Sequence, residues 1–138
     1  MKRMILAAVL ATTPLFAQQT PAPEGAAVYF VNLSDGDTVS SPVTVVFGLS
    51  GMGVAPAGTE QENTGHHHLL VNREPFAADE ADLSIPADEN HIHFGGGQTE
   101  VTLELPAGEH TLQMVLGDAT HVPHDPAIVS DYITIKVQ

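Results

Sequence analysis

Apolar residues in this chain recur at every second position in short runs, and no long stretch carries them at helical spacing. Alternation at period two places successive side chains on opposite faces of an extended strand. Seven runs have this character: residues 27–33 (AVYFVNL), 43–49 (VTVVFGL), 65–72 (GHHHLLVN), 91–94 (HIHF), 99–105 (TEVTLEL), 110–116 (HTLQMVL) and 131–137 (DYITIKV). Turn-forming clusters such as Ser34-Asp35-Gly36, Gly95-Gly96-Gly97 and Pro106-Ala107-Gly108 punctuate them. Many short strands separated by such turns predict an antiparallel β-sandwich of immunoglobulin-like class, about seven strands over residues 27–138. The connections at residues 50–64, 73–90 and 117–129 are longer, and Pro75 and Pro86 predict little regular structure in the second.

The chain begins differently. Met1-Lys2-Arg3 is a charged head, residues 4–15 are mostly apolar, and the small Ala17 precedes Gln18. This reads as an export signal over residues 1–17. Residues 18–26, rich in Pro, Ala and Gln, are expected to be a flexible spacer. Removing the signal leaves Arg73 and Lys136 as the basic residues against 17 Asp and Glu. So negative a field repels nucleic acid and anionic lipid and favours cations. No second apolar run approaches a membrane span, so no membrane association is expected after signal cleavage. The chain has no cysteine, which removes disulfides, thiolate metal sites and thiol nucleophiles. Its stability must come from the core.

The informative residues are the eight histidines. In a seven-strand sandwich the connections after the second, fourth and sixth strands lie at one end. His66 opens the third strand there, His91 and His93 precede the glycine turn after the fourth, and His121 and His124 lie in the connection before the last. Folding is expected to gather them on one rim. Alternation sharpens the choice. Ile92 and Phe94 share the core face, so His91 and His93 project together away from it, and His66 and His68 occupy the more polar face of their strand. His67 falls on the core side with Leu69 and Val71 and is expected to be a satisfied buried histidine. His110 opens the sixth strand at the opposite end and is expected to brace a corner by bonding to backbone.

His66, His68, His91, His93, His121 and His124 are thus the candidate metal ligands, more than one tetrahedral site can use. Imidazole donors suit zinc, copper(II) and nickel, and the expected cofactor is a copper or zinc ion. Met52 is a candidate thioether that would tilt the choice towards copper(I). Asp118 and Asp125 are candidates to orient imidazoles or to add an oxygen ligand. Other chemistries lack their parts. The glycine triplet has no following helix or lysine for a phosphate, residues 74–89 lack calcium-loop spacing, and no Gly-x-Ser-x-Gly elbow exists.

At GHHHLLVN, HIHFGGGQTE and GDATHVPHDP the chain resembles a bacterial exported family catalogued as domain of unknown function 4399, over about residues 43–137. The resemblance groups these histidine blocks and implies a periplasmic location, but it brings no activity. The reading is an exported, histidine-rich metal-binding protein for copper or zinc buffering, delivery or tolerance, with the metal ion as partner and room for another periplasmic protein. No catalytic residue is assigned. A His-ligated metalloenzyme and a metal-free immunoglobulin-like interaction module are the alternatives.

Overall fold

Val43, Val45 and Phe47 point one way along β3 (Val43–Ser50) and are buried, whereas Thr44 between them is exposed. This is the alternation that makes a strand half of a sandwich. The computed structural model describes residues 19–138; the expected export signal lies outside the described residues. β1 (Ala27–Phe30) and β7 (Glu100–Leu103) pair antiparallel with β3 on either side to complete a three-stranded sheet. The larger sheet runs β2 (Thr38–Val39), β9 (Ile133–Val137), β8 (Gly108–Gly117), β5 (Thr64–Val71) and β4 (Gly53–Val54), with β6 (His91–His93) also on β5. The short β2–β9 and β4–β5 pairs are parallel; the remaining pairs are antiparallel.

The expected sandwich of immunoglobulin-like class is therefore what the chain forms. Val28, Val43, Val45 and Phe47 of one sheet face Leu69, Val71, Leu112, Met114, Leu116, Ile133, Ile135 and Val137 of the other, with Phe94 between them. The seven expected strands are present, and β2 and β4 are additions too short to show a periodicity. Because β6 joins the larger sheet beside β5, both His-x-His pairs lie on neighbouring strands.

Two features differ from expectation. β5 is buried on both faces from Gly65 to Val71. Its outward face, with Leu70 and the facing Gln113 and Val115 of β8, lies beneath the long connections and not in water. Residues 72–90 run along this face as a strap containing one short 3-10 turn (Ala78–Glu80). The strap is anchored where Phe76 N–H donates to Gln113 Oε1 at 2.8 Å and Asn90 Nδ2 to the Val71 carbonyl at 2.8 Å. Residues 19–26 are likewise held and not a free spacer. Pro21 bridges Asp125, whose N–H donates to the Thr20 carbonyl at 2.9 Å, and Ala22 N–H returns a bond to the Asp125 carbonyl at 2.8 Å. Pairing with exposed backbone groups of a loop gives a Pro/Ala segment order that its composition does not signal. Among the described residues no helix is long and apolar enough to cross a membrane.

Candidate metal centre

Register assembles the site. His68 of β5 lies directly opposite His93 of β6, and His66 follows two residues along β5 on the same face. Potential ligand atoms of His66, His68 and His93 all lie within 4.8 Å of one another. His121, from the connection after β8, closes the group. Its ring centre is 4.7 Å from that of His93, 5.0 Å from His66 and 6.1 Å from His68. The loop brings it there through a left-handed backbone at His121 (φ 69°), a conformation histidine tolerates better than β-branched residues do.

Asp118 shapes that loop. Its carboxylate accepts from Thr20 Oγ1 at 2.7 Å, from the N–H and hydroxyl of Thr120 at 2.8 and 2.9 Å, and from Val122 N–H at 3.1 Å. Burial works to raise its pKa, but these bonds, led by Thr20, outweigh it and hold the group below the usual carboxylate range. Asp118 therefore organises the backbone around His121 instead of bonding an imidazole, as had been expected. The Asp125 side chain is exposed, and that residue's backbone serves to hold residues 20–22.

The imidazoles of His66 and His68 are buried and have no protein partner. His66 and His68 are 1% and 0% exposed, and both ring nitrogens of each, with Nε2 of His93, have no hydrogen-bond partner. Buried polar atoms are normally paired, and leaving one unpaired costs about 1–3 kcal/mol. Burial first, then mutual repulsion with the neighbouring histidines, pushes the His66 pKa down to about 4 and that of His68 to about 3. Burial and His121 also lower that of His93. At neutral pH these three rings are uncharged, with lone pairs free for a cation.

Two glycines make the space. A Cβ on Gly117 would stand 2.6 Å from Cε1 and 3.0 Å from Nδ1 of His68, and one on Gly95 would overlap the His93 ring. The sequence places Gly95 in a glycine turn and Gly117 at the start of the connection 117–129. The only hint in the sequence is that each lies within a few residues of a histidine block.

The other candidates do not join the group. His91 shares the face of His93 but pairs with Leu70, further along the ladder. Its Nδ1 contacts Asp88 Oδ1 at 2.7 Å and its Nε2 contacts Arg73 Nη1. A guanidinium only donates, so Nε2 is the acceptor and Nδ1 carries the proton. His124 is buried with both nitrogens unpartnered, yet its ring makes none of the ring contacts of the cluster. Met52 packs against the apolar core. His67 is buried on the core side as expected, against Phe47 at 5.1 Å, but its nitrogens have no partner, and burial pushes its pKa down to about 4. His110 fulfils its expectation, with Nε2 2.8 Å from the Pro106 carbonyl and Nδ1 3.0 Å from Asn72 Nδ2.

Fold and site together define an immunoglobulin-like sandwich carrying a buried imidazole cluster on the outer face of its larger sheet. The chain belongs to the family described as Domain of unknown function (DUF4399), whose model matches residues 45–138 and so spans every histidine. No curated protein matches. Among solved structures it is similar to the PKD domain (329-428) of human KIAA0319, in solution, at 12% identity and TM-score 0.42, over 96% of this chain and 92% of that one.

Proposed function

We propose that this is an exported, periplasmic metal-binding protein that holds one copper or zinc ion through His66, His68, His93 and His121 for buffering, delivery or tolerance. The supporting observation is the convergence of buried imidazole nitrogens that no protein group satisfies. A tetrahedral ion with arms of about 2.0–2.1 Å separates its donors by about 3.3 Å, so the His66, His68 and His93 nitrogens, now within 4.8 Å of one another, would draw together on binding. The donor set is all nitrogen, which suits zinc or copper(II) better than copper(I). Acidic residues elsewhere on the chain raise the local cation concentration.

The metalloenzyme reading draws less support. An acid or base beside the metal would be required, and Asp118, next to the cluster, already accepts four hydrogen bonds. A metal-free interaction module would leave the convergence of unpartnered imidazoles unexplained. Titration of the apo protein with Zn(II), Cu(II) and Cu(I), beside elemental analysis of protein taken from its native compartment, tests the proposal. One equivalent bound tightly and lost in the His66→Ala and His93→Ala variants is expected; no tight binding of any of the three ions would refute it.

A further inference from the structure

His66 and His68 are 1% and 0% exposed while His93 and His121 are partly exposed, so an ion that engages all four rings must displace part of the cover over the first two. The strap, residues 72–90, is a cover with little regular structure. It contributes one isolated bridge, Asp88 to His91, and a single 3-10 turn, and it leaves a cavity of about 90 Å³ against Leu70 and Val115. It is also tied to the site. Ile85 N–H donates to the His121 carbonyl at 2.8 Å, and Gln19 Nε2 bridges the Ala81 carbonyl of the strap to the Pro123 carbonyl of the histidine loop.

One basic residue latches it. Arg73 Nη2 lies 2.8 Å from both Glu80 carboxylate oxygens, its Nη1 meets His91, and His91 holds Asp88. A guanidinium thus fastens both halves of the strap to β6, two residues from His93. We propose that the strap is the gate of the metal site, and that the Arg73–Glu80 latch sets the rate at which the ion enters and leaves by holding the strap closed. The inference rests on the metal-binding reading but is separable from it. Opening a gate lowers the barrier in both directions, so association and dissociation accelerate together and Kd stays constant.

The test uses Glu80→Gln, which keeps size, and Arg73→Ala, each checked for cooperative melting. Zn(II) release to excess chelator and Zn(II) uptake are followed by stopped flow. Both rates are expected to rise about five- to tenfold, the scale of one part-buried charge-assisted pair, with Kd unchanged. Unchanged rates, or a weaker Kd with unaltered association, would overturn the gate. A readout without metal accompanies it: modification of the peptide carrying His66 and His68 by diethyl pyrocarbonate in the apo protein. Faster modification in the variants supports the gate even if Zn(II) does not bind, and equal modification overturns it.

Discussion

Gly117→Ala probes the site without touching a ligand. The added methyl would sit 2.6 Å from Cε1 of His68, whereas carbon atoms in contact need about 3.5 Å, so the ring must retreat by about 0.9 Å. His68 is fully buried, so the displaced ring would have to shift against its neighbours. Metal–ligand distances tolerate about 0.2 Å, so the variant loses one good ligand. Zinc or copper(II) affinity is expected to fall about 10- to 100-fold, the scale seen when support of a ligand is removed. Overpacking should cost about 1–3 kcal/mol of stability. Competition against a chromophoric chelator gives the affinity and urea unfolding gives the stability. Gly53→Ala is the control, because its methyl would meet only Thr64 Cγ2 at an ordinary 3.7 Å. Wild-type affinity in Gly117→Ala would refute the claim that His68 is held in place for coordination.

Other expectations concern the remaining histidines and acid. His91→Ala should leave the equilibrium affinity within about threefold, while His93→Ala should lower it by about 100-fold or more, as loss of a direct ligand exceeds loss of its support; equal effects in a chelator competition would contradict the division made between the two. His110→Ala should cost about 1–3 kcal/mol in urea unfolding by leaving the Pro106 carbonyl and Asn72 without their partner, with metal affinity intact. Burial lowers the pKa values of His66, His67 and His68 to about 4, 4 and 3, so the unfolded chain takes up protons from about pH 6.5 downward while the folded one does not. The apo protein should therefore be as stable at pH 8 as at pH 7 and lose stability progressively as the pH falls below about 6.5. Urea midpoints that do not fall between pH 7 and pH 5 would show these rings are not held neutral.

Much of this was legible in residue spacing. Period-two runs located the strands, and the alternation in HIHF and GHHHLLVN assigned Ile92, Phe94, Leu69 and Val71 to the core and the His-x-His pairs to the other face. Alternation reports a face, however, and not a height along the ladder. His91 and His93 were therefore indistinguishable until register set one against Leu70 and the other against His68. His121 and His124 were equivalent in HVPH because a loop has no period, and it is the left-handed turn tied down by Asp118 that turns one ring into the cluster. The cover over β5 was invisible for a related reason. An acidic, proline-containing segment reads as solvated, and only long-range bonds such as those of Phe76 and Ile85 reveal that it lies on the sheet. Gly117 carried only its nearness to a histidine block, because an absent side chain matters only through what occupies its place.

The most direct measurement is imidazole 15N spectroscopy of the intact protein as one equivalent of Zn(II) is added. Metal-induced shifts confined to His66, His68, His93 and His121, with His67, His91, His110 and His124 unmoved, are the result expected. Resonances of those four rings that stay in place, or shifts centred instead on His91 or His124, would contradict it.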